Sequence, residues 1–353
     1  MRMNVLSVGY PLARISESTA GGAEQILLML DKALVRLGHR SLVLAPAGSQ
    51  CHGLLLPVPL PARALREDAK RESRVLFKRE MQKALRNFPI DVVHMHGLDF
   101  NDYLPVGDVP VIVTVHLPLS WYAPKALNPD RASTKLISVS ESQASTAPPD
   151  AKIAQTITNG VEIGHFQPTR KTGDYILAMG RICPEKGLHL AIEAANLTGE
   201  RLILAGGLFP YPEHEHYFDE FIASRLGTQA RFIGPVGGER KRNLLAGAKC
   251  VLIPSLAPET SSLIAMEALA CGTPVIAMRI GALPEIITDG ETGFLVDSVE
   301  QMGNAIRNIQ LIERSKCRRE AERRFSAEKM ISCYLRLYQS ATLGAKVEEL
   351  TAA

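Results

Sequence analysis

An α/β protein made of two doubly wound parallel sheets is what the sequence predicts, and three features carry that expectation. Short apolar, β-rich runs alternate with helical stretches, the order that parallel sheets with crossover helices require. The alternation occurs twice, on either side of Asn159–Asp174, a stretch with little apolar periodicity that contains Asn159–Gly160, Gly164, Pro168 and Gly173. A length of 353 residues also exceeds one small core and suits two domains of ordinary size. The expected division is 1–165, 166–326 and a last helix, 327–353, that returns to the first domain.

In the first half, Asn4–Gly9, Ser41–Ala45, Asp91–His96, Val109–His116 and Lys135–Val139 read as strands. Ala23–Leu37 repeats apolar residues at helical spacing and stops at Gly38, a common helix terminator. Pro57, Pro59 and Pro61 read as a stiffened loop. In the second half the strands are Tyr175–Gly180, Arg201–Gly206, Arg231–Gly234, Lys249–Pro254 and Pro274–Met278. Leu188–Asn196, Phe218–Leu226, Glu239–Ala246, Leu263–Cys271 and Val299–Ile312 are the helices that separate or follow them. Asp289–Gly293 reads as a turn. The final helix, about Ala327–Leu343, presents Met330, Tyr334, Leu337 and Tyr338.

Composition narrows the class. Hydrophobic residues at 46% and charged residues at 22% fit a soluble globular protein. No apolar run approaches the roughly 20 residues that cross a bilayer. Met1–Gly9 reads as a first buried strand, its apolar stretch being short for a signal peptide. Six scattered cysteines without a CxxC pair argue against a disulfide framework and against a zinc site, and fit a reducing, cytoplasmic setting.

The net charge of +3 is unevenly spread. Arg63, Arg66, Lys70, Arg71, Arg74, Lys78, Arg79, Lys83 and Arg86 crowd one segment. Its bland reading is a solvated helix with one face on the core. The alternative is a basic helix, Arg63–Arg86, resting on anionic lipid as a peripheral contact at the inner face of a membrane. Nucleic acid is not expected as a partner, because the segment lacks interleaved aromatics and no binding motif accompanies it.

Chemistry concentrates in the second half. Glu259 and Glu267 are separated by seven residues around a predicted helix start, where Ser261 or Ser262 can act as N-cap. The free amides of Ser262, Leu263 and Ile264 would favour an anion such as phosphate. Glu267 lies too far inside the helix to cap it and is suited to accept hydrogen bonds from ribose hydroxyls. Glu259 precedes the helix and could reach a sugar. Upstream, Gly180–Arg181–Ile182–Cys183–Pro184–Glu185–Lys186–Gly187 sets two cations around a βα turn. Arg grips phosphate oxygens bidentately and Lys adds a mobile charge, the combination that stabilises a departing diphosphate. Ordinary surface ions around a helix start and a turn are the bland alternative for both groups.

In the first half, Gly21 and Gly22 open a helix after the first strand and would let backbone amides approach a phosphate. The segment is not GxGxxG, which weakens the case for a dinucleotide cofactor. His94 and His96 end one strand and His116 the next, so all three are expected at a cleft, where a metal site is a weaker alternative. His214 and His216 read as an exposed helix entry. No DxD motif occurs to bridge a metal to a diphosphate.

In this order and spacing, these pieces resemble the family-four retaining glycosyltransferases of the GT-B fold. The resemblance rests on Gly21–Gly22, His116, Arg181, Lys186–Gly187, Asn159–Gly160–Val161, Leu204–Ala205–Gly206–Gly207, Phe232–Ile233–Gly234–Pro235–Val236 and the E-x7-E pair Glu259 and Glu267. It covers the second half almost throughout and the first half in scattered pieces. It implies two Rossmann-like domains facing across a cleft, with the C-terminal helix returning to the first.

It further implies a nucleotide-sugar donor whose base lies near Ile233–Val236, beside Gly207, and whose ribose is on Glu267. Arg181 and Lys186 would hold the diphosphate, helped by the amides of Gly22, Leu263 and Ile264, and Glu259 the donor sugar. His116 would lie beside sugar and acceptor. Apart from the resemblance, His96 at its strand end and Trp121 and Tyr122, a stacking surface after His116, are the residues expected on the acceptor side. Configuration would be retained, with no metal, no protein nucleophile and no cofactor beyond the co-substrate. UDP is the expected nucleotide, and the acceptor a sugar, a lipid-linked glycan or a small molecule. Ser262 stands where many members carry glycine, which bears on the donor sugar and not on the reaction type. A nucleotide-sugar epimerase, a phosphorylase and a non-catalytic nucleotide-sugar-binding protein remain the alternatives.

Overall fold

The computed structural model describes residues 2–17, 19, 21–60, 67–169 and 171–352, with 345–352 described by their backbone alone. Two compact units divide the chain: Met1–Thr158 with Met330–Ala353, and Asn159–Lys329.

The first unit runs through β1 (Asn4–Val8), α1 (Gly22–Arg36), β2 (Arg40–Pro46), β3 (Leu54–Val58), α2 (Glu67–Asn87), β4 (Val92–Met95), β5 (Val111–Thr114), α3 (Pro124–Leu127), β6 (Thr134–Ser138), α4 (Glu141–Ser145) and β7 (Ile153–Thr156). All its strands are parallel, in the order β3-β2-β1-β4-β5-β6-β7. The chain reverses its direction of travel across the sheet at β1 and β4, and doubly wound sheets bind ligands outside the carboxyl ends at such a point. Helix α1 ends where the sequence says it should, with Gly38 at φ +79°.

The segment around Pro57, expected as a stiffened loop, is instead the edge strand β3. Pro57 is tolerated there because an edge strand has one side that needs no amide donor. Within α2, Ala69, Ser73, Phe77, Met81 and Ala84 form the buried stripe, so one face lies on the core. Of the basic segment, Arg63 and Arg66 lie outside the described residues. Lys70, Arg74, Arg79 and Lys83 make ion pairs with Glu67, Asp102 and Glu80.

The second unit runs through β8 (Ile176–Met179), α5 (Leu188–Thr198), β9 (Leu202–Ala205), α6 (Pro212–Tyr217), β10 (Ala230–Phe232), α7 (Gly238–Gly247), β11 (Val251–Ile253), α8 (Leu263–Ala270), β12 (Val275–Met278), α9 (Leu283–Ile286), β13 (Gly293–Val296), α10 (Val299–Arg307) and α11 (Arg314–Arg324). Its parallel order is β10-β9-β8-β11-β12-β13, with the reversal at β8 and β11. Apolar side chains cover both faces of this sheet. Val161 belongs here because its N–H donates to Phe325 O and its carbonyl accepts from Ala327 N.

Two expected helices differ. Phe218–Leu226 is a π-helical turn, Phe218–Ile222, followed by a 3-10 turn, Ala223–Arg225. Val299–Ile312 stops being α-helical at Arg307.

Helix α12 (Ala327–Ala352) returns to the first unit. Tyr334, Leu337 and Tyr338 are buried on it, and Tyr334 Oη and Tyr338 Oη meet Thr114 and His94 at 2.8 and 2.7 Å. Among the described residues no helix is long and apolar enough to cross a membrane, and all six cysteines are free.

Candidate functional site

At the carboxyl edge of the second sheet the loops are stitched side by side. Ile182 N donates to Gly207 O, and Gly206 N donates to Gly234 O, which joins the loops after β8, β9 and β10. Glu185 O accepts from Leu256 N and Ala257 N, which joins the turn after β8 to the loop after β11. Two glycines make this approach feasible. A Cβ at Gly206 would lie 1.7 Å from Gly180 O, and one at Gly187, where φ is +58°, would lie 2.2 Å from Pro254 O. These loops therefore lie outside β8 and β11, the strands that flank the reversal.

The turn and the loop present their charges together. Lys186 Nζ donates to Glu259 Oε1 at 2.6 Å, and the Glu259 side chain is 9% exposed. Ser255 Oγ donates to the same oxygen. Arg181 is half-buried on the same turn, where its charge helps to hold the Glu185 carboxyl down.

Helix α8 begins just beyond. Ser262 is its N-cap, and the Ser262 hydroxyl accepts from Ala265 N at 3.4 Å. The amides of Leu263 and Ile264, in the first turn, have no acceptor within the helix. Glu267 lies further in, buried, with Lys241 Nζ of α7 at 2.6 Å from its Oε1. Its Oε2 is buried with no partner among the described residues. Burial pushes this carboxyl up, although Lys241 pulls the other way. A buried acceptor without a donor is costly unless a ligand supplies one. Ile233 and Val236 are partly buried in the loop between β10 and α7, with Ile233 N donating to Leu204 O.

In the first unit, Gly21 is the N-cap of α1. The Glu24 carboxylate folds back over it, since a Cβ at Gly21 would lie 1.8 Å from Glu24 Oε2. The helix entrance expected to meet a phosphate thus carries an internal carboxylate here. His96 Nδ1 and His116 Nε2 are 3.0 Å apart with their rings stacked. Burial lowers His116 to about 3, so its ring is neutral near pH 7.

Two expectations need correction. His94 does not line open space: it is fully buried, and both ring nitrogens are engaged, by Tyr338 Oη and Thr114 Oγ1. That also removes it from a metal site with His96 and His116. Tyr122 is buried, with its hydroxyl accepting from Leu117 N, so only Trp121, 49% exposed, has a ring available for stacking.

Lys241 and Ser255 were not foreseen. Lys241 sits in the run Glu239–Arg240–Lys241–Arg242, in a segment expected only as a helix. The missed signal was the need of a helix-interior glutamate for a counter-charge.

Two family descriptions match the chain: "Glycosyltransferase Family 4" over residues 20–163 and "Glycosyl transferases group 1" over 162–329. The chain is 31% identical over 184 residues to the D-inositol 3-phosphate glycosyltransferase of Mycobacterium avium, a match covering 48% of the chain and 42% of that relative. The chain covers between 28% and 51% of the length of the curated relatives it matches. Among solved structures it is similar to AviGT4, a glycosyltransferase involved in avilamycin A biosynthesis, with TM-score 0.71, 24% identity and coverage of 97% and 98% of the two chains. It is similar also to HepE of Anabaena in complex with UDP-glucose, with TM-score 0.76, 19% identity and coverage of 96% and 100%. Two parallel α/β units of GT-B type, matched across both halves by these descriptions, make the chain a member of the family-four glycosyltransferases.

Proposed function

We propose that this protein transfers a sugar from a nucleoside-diphosphate sugar to a hydroxyl of a glycan, a glycolipid or a small molecule, with retention of configuration. The observation that carries the reading is the pair of stitched loops outside β8 and β11, which bring Arg181, Lys186 and Glu259 to one edge beside the amide end of α8. In this reading Arg181, Lys186 and the amides of Leu263 and Ile264 neutralise the diphosphate as it departs. Glu259, held by Lys186 and Ser255, accepts from donor-sugar hydroxyls. Glu267 accepts from the ribose through the oxygen that now lacks a partner, and Ile233, Val236 and Gly207 flank the base.

UDP is the nucleotide favoured, a choice supported by the UDP-glucose complex of the Anabaena relative. The departing diphosphate takes the acceptor proton, so neither a protein nucleophile nor a metal or other cofactor is called for. The roles of Gly21, Gly22 and His116 rest on the sequence resemblance, and those of His96 and Trp121 on their positions at a strand end and after His116. A neutral His116 fits one that positions a hydroxyl by hydrogen bonding and carries no charge. Exposed Arg71, Lys78 and Arg86 on α2 are the residues through which an anionic membrane would be touched. Co-sedimentation with anionic vesicles at low salt tests that contact, and its absence removes it.

The decisive experiment is incubation of the protein with nucleotide sugars and a mixed acceptor extract. Free nucleoside diphosphate together with a glycosylated product supports transfer. Conversion of the donor without an acceptor would point to an epimerase, and binding without release across many acceptors to a non-catalytic protein.

A further inference from the structure

We propose that Cys183, Glu185 and His214 form a binding site for a zinc-class divalent cation. A sulfur, a carboxylate oxygen and a ring nitrogen from these residues all lie within 4.8 Å of one another. Among the described residues no other group of three His, Cys, Asp or Glu side chains meets that spacing. Tetrahedral zinc holds sulfur at about 2.3 Å and nitrogen or oxygen at about 2.0–2.2 Å, which sets ligand atoms roughly 3.3–3.7 Å apart. Closing the present triangle onto an ion therefore shortens no ligand-to-ligand spacing by more than about 1.5 Å.

The fold supplies the three groups from two elements. Cys183 precedes the short turn Pro184–Lys186, whose proline opens the turn and whose Glu185 follows at once. The Glu185 backbone is fixed by the amides of Leu256 and Ala257, which leaves its side chain to be placed by the turn. His214 comes from α6, with the Tyr211 ring edge-on at 5.0 Å. His214 Nδ1 is a buried nitrogen with no partner among the described residues, and such an atom is costly unless something binds it. The thiol and the Glu185 carboxylate already interact. Thiolate and imidazole ligands select zinc-like ions over magnesium and calcium, and three protein ligands leave a fourth position for water. Binding must expel the thiol proton, because burial holds Cys183 up at about 11 when no metal is bound.

Cys183 and Glu185 lie within the turn that carries Arg181 and Lys186. A cation there would fix the spacing of those two charges. That consequence rests on the donor-site reading, whereas the binding does not, and no step of the transfer passes through the ion.

The test is a titration of the full chain, freed of metal by a chelator, with Co2+ and then with Zn2+. One equivalent of Co2+ is expected to raise a thiolate-to-cobalt charge-transfer band that Zn2+ abolishes. Cys183→Ser should lose the band. His214→Ala, a change on a partly exposed residue that the fold can tolerate, should weaken Co2+ binding at least ten-fold and abolish the rise in Tm that Zn2+ gives the unaltered chain. Absence of a band, or a band that survives in Cys183→Ser, would overturn the site, as would undiminished binding in His214→Ala. Protection by UDP, measured separately, distinguishes failure of the metal site from failure of the donor-site reading.

Discussion

Lys241 Nζ lies 2.6 Å from Glu267 Oε1, a pair in which the lysine side chain is 15% exposed and the glutamate 5%. It joins α7 to the interior of α8, and it explains how a carboxylate can occupy a helix that is otherwise packed with apolar side chains. With so little water at either end, removing one partner leaves the other charge uncompensated.

Lys241→Met is therefore expected to destabilise the protein by about 3–5 kcal/mol at neutral pH. The pH dependence follows from the direction of the Glu267 shift. Burial raises its folded pKa above the ordinary value of 4.5, so the folded state holds the proton over a window in which the unfolded state has lost it. Stability contributed by this group is present below 4.5 and is lost as pH rises through the folded value. Losing Lys241 removes the influence that lowers that value. Urea denaturation of Lys241→Met should thus show a larger deficit at pH 8 than at pH 5, and adding Glu267→Gln should recover most of it. A deficit independent of pH would dissociate the two residues.

Arg181→Ala and Lys186→Ala are each expected to lower kcat/KM by about 30- to 1,000-fold, the equivalent of roughly 2–4 kcal/mol of charge-assisted binding. Glu259→Ala should reduce turnover as well, because it removes both the proposed sugar contact and the partner that aims Lys186. Steady-state kinetics on the cognate donor and acceptor checks all three. Turnover of Glu259→Ala equal to that of the unaltered enzyme would remove its assigned role.

Gly187→Ala probes the stitching of the loops. An alanine there must adopt a left-handed backbone, costing about 1–2 kcal/mol. Its Cβ would also meet Pro254 O at 2.2 Å. A lower Tm together with weaker protection by nucleotide is the expected pair of effects, read by thermal denaturation with and without UDP. A variant with unchanged protection would show that the turn tolerates displacement.

The histidines give the first unit a one-sided pH response. Burial lowers His94 and His116 from 6.5 to about 3, so both rings are neutral when folded. The unfolded chain binds their protons first as pH falls. Stability is then complete above pH 6.5 and lost progressively toward about 3. His94→Gln, which retains groups able to bond Thr114 and Tyr338, should lose less Tm between pH 7 and pH 4 than the unaltered protein.

How much of this was legible in the sequence depends on the distance over which each residue finds its partner. The hydroxyl cap, the glutamate spacing and the cation-bearing turn are local, and Ser262, Gly187 and α8 follow from short stretches of chain. His94 is tied to Tyr338, 244 residues away, so nothing near it in the chain shows that it belongs to the core. Lys241 is hidden among other charges and reaches Glu267 only once α7 and α8 are packed. Pro57 disguised β3 because proline usually ends a strand, and only the sheet order shows an edge. Trp121 and Tyr122 are adjacent in sequence, yet a short 3-10 turn ends between them and leaves one exposed and one buried.

The most direct measurement is the rise in Tm that UDP gives to the unaltered chain and to Arg181→Ala and Lys186→Ala, because a ligand that binds only the folded form stabilises it. Clear protection of the unaltered chain, cut sharply in both variants, is the result expected if the turn after β8 holds the diphosphate. Equal protection of all three proteins would contradict that placement.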